Sequence, residues 1–444
     1  MAEGMKDSGI EWVGEIPEEW RMGRIAHRYS LTLGKMVESE TEDSNKELLP
    51  YLCAANLKWG GVDTSVQKEM WFSKAEQSEL ELREGDVLIT EGGSVGTACI
   101  YHGEMGRCFF QNSVIRARGE DTVANEFLAY WLETVCSSGY LDTVCNKATI
   151  SHYTKDKVSK TPMPSVPRSA VVAIVAALNE QCGKLSSALK TLEEQVDVLE
   201  RYRKSLIHEA VTKGLCRSVP MRPSGIDWIG DIPEGWAVKK LKHLSKSFES
   251  GTSVRAAANP AEPNEKGVLS LSAVFGGFFN PSANKTVDGD ELSRVSCPVK
   301  GGSLLVSRCN TSEWVGLPAY VDKDYPNLYL PDKLWQIDCG STELNRFIWY
   351  ALQSKSAREY CAVMSVGSSN SMQNIASSDL LNMYIALPAT QEERNTIVAY
   401  LDEKCARIDS LLAAKCEQID ILKKRRQSLI YEYVTGKRRV SKEA

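Results

Sequence analysis

The residues best suited to specific hydrogen bonding stand in polar loops that follow apolar, strand-like runs. The run GGSLLVS (301–307) leads into Arg308, Cys309, Asn310 and Thr311, and the run GDVLIT (85–90) leads into the segment EGGS (91–94). Guanidinium, amide, carboxylate and hydroxyl groups bind polar partners through directed hydrogen bonds. The chemistry that these loops indicate is recognition.

Sequence patterns of catalytic, metal and cofactor sites are missing. The chain has no GxxxxGK[ST] loop for ATP, no Pro-Pro-aromatic tetrapeptide of adenine methyltransferases and no nucleophile elbow. GGSVGT lies between two strand-like runs and opens no helix, which argues against a dinucleotide site. The tripeptide PDK (331–333) resembles the start of a nuclease motif, but WQIDCGSTE after it supplies no acidic-x-Lys. We therefore expect no catalytic residue, metal or cofactor in this chain.

Bulk properties indicate a multidomain protein of the cytosol. A chain of 444 residues is too long for one core and predicts two to four domains. No apolar run reaches the roughly 18–20 residues of a membrane span, and the first residues lack the features of a signal peptide. The 13 cysteines show no zinc spacing, which predicts reduced thiols. The net charge of −5 argues against indiscriminate binding of polyanions, although a local basic surface remains compatible with it.

One phrase occurs twice in the chain. Residues 8–20 read SGIEWVGEIPEEW and residues 224–236 read SGIDWIGDIPEGW, and nine of the 13 positions are identical. We call each copy a strap. The position of Trp12 and Trp228 in the straps predicts a packing role, with each strap docking a domain on a helix, and gives no indication of catalysis.

A second repeat predicts two long helices. Residues 178–214 return as residues 401–437, and the apolar positions of both copies step by four and three residues, which is the pattern of a coiled coil. Proline-rich stretches precede both copies and set the helix starts. The seam consists of Leu178, Leu185, Leu189, Leu192, Val196, Leu199 and Leu206 in the first copy, and of Leu401, Ile408, Leu412, Ile419, Leu422 and Leu429 in the second. Both copies also place Cys at the second seam position and Arg at the eighth.

The two repeats define the predicted fold class and layout. We expect an α+β protein with two globular domains in tandem, separated by two long helices that pair as an antiparallel coiled coil with a pseudo-two-fold axis. The seam covers about 42 Å at 1.5 Å per residue, comparable to one turn of B-DNA. The predicted boundaries are 1–163 for the first globular domain, 164–215 for the first helical spacer, 216–387 for the second domain and 388–444 for the second spacer.

The chain resembles the specificity (S) subunit of type I DNA restriction-modification systems over roughly residues 8–437. The resemblance is carried by the doubled GIxWxGxIPxxW phrase, the strand GDVLIT and its counterpart SLLVSR, the segments QNS (111–113), DKL (332–334) and GSSNSMQNI (367–375), and the two proline-led helices. In that family each variable domain reads half of a bipartite DNA site. The helices act as a ruler and dock two methyltransferase subunits, and the restriction subunits join through that core.

The resemblance implies a set of DNA-contacting residues. Arg suits guanine, Asn and Gln suit adenine, and Glu can accept from cytosine N4. The candidates are Glu91, Ser94, Gln111, Asn112, Lys147, Thr149 and His152 in the first domain, and Ser307, Arg308, Asn310, Thr311, Lys333, Ser368, Asn370, Gln373 and Asn374 in the second.

Simpler roles stay open for several of these residues. Glu91 suits a structural role, Gln111 and Asn112 suit a buried turn, and His152 suits packing. The basic residues near the C-terminus suit either a solvated helix face or contacts to phosphate or a partner subunit; they are Lys423, Lys424, Arg425, Arg426, Lys437, Arg438 and Arg439.

The partners implied by the resemblance are double-stranded DNA, two methyltransferase subunits and restriction/translocase subunits, with no membrane. Those subunits would use S-adenosylmethionine, ATP and magnesium. Two alternatives remain: the specificity subunit of a bipartite type II restriction-methylation enzyme, and a coiled-coil protein scaffold that does not bind DNA.

Overall fold

The computed structural model describes residues 4–145, 152–216, 218–369 and 372–440. The chain divides into two compact units, which we call unit 1 (residues 1–193 and 417–444) and unit 2 (residues 194–416). Among the described residues, no helix has both the length and the apolar character that a membrane crossing requires. All thirteen cysteines are free thiols, as expected.

The first half of the chain contains thirteen described strands and five described α-helices. In order they are β1 Met5–Asp7, β2 Glu15–Pro17, β3 Arg21–Arg24, β4 Ser30–Leu33, β5 Glu47–Leu52, β6 Leu57–Lys58, β7 Gly61–Val62, β8 Glu69–Phe72, α1 Lys74–Leu80, β9 Val87–Thr90, β10 Ala98–Ile100, β11 Phe109–Phe110, β12 Val114–Arg118, α2 Thr122–Ser137, α3 Tyr140–Val144, α4 Lys155–Lys160, β13 Pro162–Ser165 and α5 Arg168–Lys213.

The second half repeats this alternation and ends in another long helix. Its described elements are β14 Met221–Pro223, β15 Asp231–Pro233, β16 Ala237–Lys240, β17 Ser247–Ser250, β18 Gly267–Leu269, β19 Asn284–Thr286, β20 Pro298–Val299, β21 Leu304–Ser307, β22 Cys309–Asn310, β23 Pro318–Tyr320, β24 Tyr325–Tyr329, β25 Leu334–Asp338, α6 Thr342–Gln353, α7 Lys355–Met364, β26 Val366–Ser369, β27 Met372–Asn374, α8 Ser377–Asn382, β28 Tyr384–Leu387 and α9 Gln391–Val434.

Each unit contains a four-stranded antiparallel sheet with the same order of strands. The order is β10-β9-β12-β4 in unit 1 and β23-β21-β25-β17 in unit 2. The side chains of Val87–Ile89 in β9 and of Leu304–Val306 in β21 are fully buried, which explains why these strands appear as continuous apolar runs in the sequence. The shared sheet is the frame that carries the candidate loops.

In each unit, a buried asparagine near the start of the helix that follows the sheet is hydrogen-bonded to backbone groups at the ends of the sheet strands. In unit 1, Asn125 of α2 accepts from Gly119 N at 2.7 Å and donates to Gly85 O at 2.7 Å. In unit 2, Asn345 of α6 accepts from Cys339 N at 2.7 Å. Because these amide groups are buried and hydrogen-bonded, they fix the start of each helix relative to its sheet.

The first strap packs on the C-terminal end of α9 within unit 1. Its hairpin is closed by a hydrogen bond of 3.0 Å from Ser8 N to Gly14 O. Tyr431 of α9 donates its hydroxyl proton to Val13 O at 3.0 Å. Gly436 follows the helix with φ +74°, and a Cβ atom there would lie 2.5 Å from the ring of Pro17. The helix end is therefore shaped to receive the strap.

The second strap packs on the C-terminal end of α5 within unit 2 in the same way. Its hairpin is closed by the bond from Ser224 N to Gly230 O at 3.1 Å. Gly214 follows the helix with φ +71°, and a Cβ atom there would lie 3.2 Å from the indole of Trp236. That indole donates to Glu393 of α9 at 3.0 Å. This is the docking role that the repeated phrase predicts.

The tryptophans Trp12 and Trp228 lie on the domain side of the straps. The ring of Trp12 packs in a tilted arrangement against Trp131 of α2, with the ring centroids 5.4 Å apart. The ring of Trp228 packs in the same way against Tyr360 of α7, with the centroids 5.1 Å apart. Both side chains pack on the hydrophobic core of their unit. Each strap thus contacts a helix end and its domain together.

The long helices run antiparallel in each unit. In unit 1, Gln181 donates to the hydroxyl of Tyr433 at 2.9 Å, and Lys423 lies 3.6 Å from Glu193, so the partner number falls as the number in α5 rises. In unit 2, Arg203 donates to Asp409 at 2.9 Å, and Lys415 donates to Gln195. The predicted antiparallel pairing is confirmed.

Burial along the helices follows the predicted seam. The buried seam leucines and isoleucines are Leu178, Leu206, Leu401, Ile408, Ile419 and Leu429. The half-buried seam residues are Leu185, Leu189, Leu192, Val196, Leu199, Leu412 and Leu422. Side chains between seam positions are largely exposed over residues 183–198, as a two-helix contact requires.

A hydrogen-bonded triad joins each globular domain to its long helix. In unit 2, Arg346 and Tyr350 of α6 donate to the carboxylate of Asp402 in α9 at 2.5 and 2.8 Å. Burial, together with the hydrogen bond to Asp402, raises the pKa of Tyr350, which keeps its hydroxyl protonated as the donor. In unit 1, Tyr130 of α2 donates to Asn179 of α5 at 2.8 Å, and Asn179 donates to Glu126 at 2.7 Å.

The fold class predicted from the sequence is therefore confirmed, with mixed helices and strands in two tandem domains and two long antiparallel helices. The boundaries 163/164, 215/216 and 387/388 stay a prediction.

We predict that Gly436→Ala destabilises the chain by about 1–3 kcal/mol, because the new Cβ overpacks the contact with Pro17. Gly183→Ala is the matched control: it lies within α5 and a Cβ there meets nothing within 4 Å. It should raise stability by up to about 1 kcal/mol. Urea denaturation of the full chain measures both changes. Equal effects of the two substitutions would contradict the packing described for the strap.

Candidate nucleic-acid interface

Arg308 is the point where three candidate segments of unit 2 meet. It follows β21, and its backbone N–H donates to Lys333 O at 2.9 Å. Its carbonyl accepts from the N–H of Ile375 at 3.1 Å. These two hydrogen bonds bring the backbone at Arg308, Lys333 and Ile375 together, although these residues are far apart in the sequence.

A small antiparallel sheet extends from this point. Strand β22 pairs with β27, with Cys309 opposite Asn374 and Asn310 opposite Gln373. Strand β27 in turn pairs with β26. Because residues opposite each other share a face of the sheet, the amides of Asn310 and Gln373 lie side by side.

The side chains of the unit 2 candidates differ in exposure. Arg308 and Lys333 are exposed, and together they place two cations beside the loop. Asn310 is half-buried; its Oδ1 accepts from Thr311 N at 2.9 Å, and its Nδ2 has no hydrogen-bond partner among the described residues. Ser307 is fully buried and donates to Cys309 O at 3.1 Å.

Two of the predicted DNA contacts in unit 2, those of Ser307 and Thr311, involve residues that are buried or half-buried. The hydroxyl of Ser307 supports the loop from inside and adds nothing to its surface, so the predicted DNA contact by this side chain is not available in this conformation. Thr311 is half-buried and accepts backbone hydrogen bonds from Trp314 and Val315 through its carbonyl. Burial also raises the pKa of the Cys309 thiol, which keeps the inner side of the loop uncharged. Both Ser307 and Thr311 are therefore placed to hold the loop.

Arg358 of α7 holds the loop 308–317 by hydrogen bonds to its backbone. Its guanidinium donates to Glu313 O at 3.0 Å and to Val315 O at 2.5 Å. Burial lowers its pKa from the usual value for arginine. A Cβ at Gly316 would lie 2.6 Å from Cys361, so the loop is also tightly packed on α7. Sequence reasoning missed Arg358, because its position in the chain gives no sign of this contact.

Unit 1 uses the same backbone connections at Glu91. The N–H of Glu91 donates to Ser113 O at 2.9 Å, and its carbonyl accepts from Tyr153 N at 2.8 Å. Glu91 is half-buried and Ser94 is exposed. Glu91 thus stands at the position of Arg308, with the opposite charge.

Gln111 and Asn112 are half-buried and already hydrogen-bonded within unit 1. Gln111 donates to Asn112 Oδ1 at 3.3 Å and accepts from the hydroxyl of Ser113 at 3.1 Å. That hydroxyl accepts from Ala54 N at 3.0 Å. The buried-turn role and a recognition role are both compatible with this arrangement.

His152 is exposed next to Gly92, the residue after Glu91, since a Cβ at Gly92 would lie 3.3 Å from its imidazole. Lys147, Thr149 and Asn370 lie outside the described residues, and nothing is described of the side chain of Ser368. Gln373 is half-buried and Asn374 is exposed.

Two glycines that sequence reasoning missed hold the edge strand against each site. A Cβ at Gly34, after β4, would lie 2.3 Å from Gln111 O. A Cβ at Gly251, after β17, would lie 1.7 Å from Leu330 O. Only glycine permits so close an approach of two backbones. Their spacing of 217 residues, nearly that of the straps, is a signal that could have identified them.

The basic residues near the C-terminus are mostly engaged within unit 1. Arg426 forms an ion pair with Glu133 of α2, and Arg438 lies 3.6 Å from Glu432. Lys437 donates to the hydroxyl of Tyr431. Lys424 and Arg425 are exposed. Within the described ranges, no group of three or more His, Cys, Asp and Glu side chains is arranged to hold a metal ion.

We predict that Arg358→Met loosens the loop 308–317, because the carbonyls of Glu313 and Val315 lose charge-assisted hydrogen bonds. The free energy of unfolding should fall by about 1–3 kcal/mol, and trypsin should cleave after Arg308 faster. Arg425→Met, at an exposed position of α9, is the control and should change neither quantity. Unchanged cleavage after Arg308 in the Arg358 variant would count against the support role.

Comparison with known proteins agrees with the resemblance found in the sequence. No protein-family model matches the chain. The type I restriction enzyme MjaVIII specificity subunit of Methanocaldococcus jannaschii is 23% identical over 443 residues, which cover 96% of this chain and 94% of that protein. The type I restriction enzyme EcoKI specificity subunit of Escherichia coli is 23% identical over 410 residues, with coverage of 90% and 84%.

The fold is also found in a solved structure. A chain from a structure described as the basis of complex assembly and conformational transition of the type I R-M system aligns with a TM-score of 0.62 at 16% identity, covering 94% of this chain and 98% of that one. The resemblance predicted from the sequence is thus confirmed: this chain is similar along nearly its whole length to type I restriction enzyme specificity subunits.

Proposed function

We propose that this chain is the DNA sequence-recognition subunit of a type I restriction-modification complex. Each globular domain reads one half of a bipartite, interrupted site. The observation that carries the proposal is the pair of equivalent loop clusters, which share their backbone hydrogen bonds at Glu91 and Arg308 but differ in side chains. An equivalent frame with unlike surfaces is what two different half-sites require. The similarity to specificity subunits over 96% of the chain supports the same function.

Base recognition in the second half-site rests on Arg308. A guanidinium suits the O6 and N7 acceptors of guanine, and adenine suits either the amides of Asn310 and Gln373, on one face of the small sheet, or the amide of Asn374, on the other face. Lys333 is exposed next to Arg308 and suits a phosphate oxygen. Ser307 and Thr311 hold the loop in place.

Base recognition in the first half-site rests on a different set of groups. Glu91 suits the N4 donor of cytosine, and Gln111 and Asn112 suit adenine. Ser94 and His152 are exposed beside them and complete the surface. Because the two sets differ in charge and shape, the two half-sites should differ in sequence.

The paired helices set the length of the unread gap and dock two methyltransferase subunits. Exposed apolar side chains on the helices support the docking role. In unit 2, Val198 and Tyr202 are each 55% exposed on α5, and Leu411 is 45% exposed on α9. In unit 1, Ile421 of α9 is 56% exposed. Contiguous exposed apolar surface marks protein interaction sites, and Val198 and Tyr202 stand four residues apart on the same side of α5.

The chain itself acts as a non-catalytic recognition component. Methylation by the methyltransferase subunits would use S-adenosylmethionine, and restriction subunits would use ATP and magnesium. With this function we expect the complex in the cytoplasm, with the DNA.

Mapping methylated adenines across a genome that expresses the complex tests the proposal. We expect methylation at a two-part, asymmetric, interrupted motif that disappears when this chain is deleted. Methylation at a continuous motif would instead favour another class of enzyme. Unchanged methylation after the deletion would contradict the proposal. Absence of salt-dependent DNA binding by the assembled complex would point to the protein-scaffold alternative, because phosphate contacts produce a steep salt dependence.

We predict that Arg308→Ala weakens binding to the second half-site by about 1–3 kcal/mol, because the guanine contact is lost. Recognition of the first half-site should stay intact. Glu91→Ala, at the equivalent position of unit 1, should do the reverse. Binding of the assembled complex to duplexes mutated in one half-site at a time measures both effects. Equal loss at both half-sites in either variant would refute the division into two readers.

A further inference from the structure

The hairpin β26–β27 presents one face to solvent with an unusual composition. Along β27, Met372 and Asn374 are exposed and Gln373 between them is half-buried, as the alternation of a strand requires. Val366 of β26 lies directly opposite Asn374 and therefore shares its face. We call Val366, Met372 and Asn374 the hairpin face.

Its apolar members have no packing role within unit 2. Val366 is 76% exposed and Met372 is 50% exposed. Neither belongs to a hydrophobic cluster formed by the described residues. By contrast, Gln373 is turned to the other side of the sheet, where a Cβ at Gly367 would lie 3.0 Å from its amide. The amide of Asn374 is thus exposed to solvent on the same face as two exposed apolar side chains, those of Val366 and Met372.

The surroundings of the hairpin face favour DNA as its partner. Strand β27 pairs with β22, and β22 starts one residue after the exposed Arg308. The backbone of Arg308 contacts Lys333, which is also exposed. Two cations beside a β-hairpin attract phosphate groups, and a two-stranded β-ribbon fits the major groove.

The chemistry of the face matches one kind of base pair. In the major groove, adenine offers an acceptor and a donor to an Asn amide, and thymine offers its 5-methyl group to apolar side chains. We propose that the hairpin face recognises A·T pairs in the second half-site, with Asn374 hydrogen-bonded to an adenine and Met372 and Val366 each in contact with a thymine methyl group. This inference rests on the proposed function and adds Val366 and Met372, which are not among the DNA-contacting candidates predicted from the sequence.

Replacing thymine by deoxyuridine tests the methyl contact, since it removes the 5-methyl group and leaves base pairing unchanged. The full chain in complex with methyltransferase subunits is bound to duplexes in which each thymine of the second half-site is replaced in turn. We expect wild type to lose about threefold to fivefold in affinity at one or two positions, the ratio expected for burial of one methyl group. Met372→Ala or Val366→Ala should abolish this loss at the same position, so that thymine and deoxyuridine bind equally.

Val363→Ala is the matched control. Val363 is 82% exposed on α7, three residues before Val366 and outside the hairpin. Its substitution should leave the thymine preference in the second half-site unchanged. Met372→Ala should likewise leave the effect of deoxyuridine in the first half-site unchanged.

Several results would overturn the inference while leaving the proposed function intact. They are site-specific binding with no loss at any deoxyuridine, a second half-site without an A·T pair, and a thymine preference that persists in both alanine variants. Loss of methyltransferase subunits from the Met372 variant during purification would identify the hairpin face as a protein contact and would also overturn it. Absence of any sequence-specific binding by wild type would count against the proposed function itself.

Discussion

The packing of each strap against a glycine-ended helix is the contact on which both units depend. The first strap lies near the start of the chain, yet it needs the end of α9, since Tyr431 and Gly436 complete its contact surface. Unit 1 can therefore close its core only after almost the whole chain has been made. The entropy of closing so long a loop grows slowly with its length, so a well-packed contact can offset it. The second strap meets α5 within unit 2 by an equivalent contact at Gly214.

This arrangement separates the frame from the recognition surface. The four-stranded sheet, the buried asparagines Asn125 and Asn345, and the helix triads form the frame of each unit. The loops attach to it mainly by backbone hydrogen bonds, such as those at Glu91 and Arg308. Because backbone bonds do not depend on side-chain type, the exposed residues of the loops can change with little effect on the frame. That freedom suits a protein whose two halves read different sequences.

The charge of the chain is consistent with such a role. A net charge of −5 provides no general attraction to DNA. Arg308 and Lys333 instead concentrate positive charge beside one candidate site, whereas Glu91 occupies the equivalent position in the other. Most of the basic residues near the C-terminus contact groups of unit 1, Arg426 and Arg438 among them. Affinity for DNA should therefore come from a few directed contacts and from partner subunits.

The repeats alone were enough to predict the two tandem domains, the helix seam and the role of the straps. Hydrophobic periodicity and duplication are properties of the order of residues and can be recognised without the fold. The same pattern located the loops at Glu91 and Arg308, since an apolar strand followed by polar residues marks a strand end. It gave no sign that Ser307 is buried, that Arg358 supports the loop or that Val366 and Met372 are exposed. Those properties arise from contacts between segments far apart in the chain, and only folding brings the segments together.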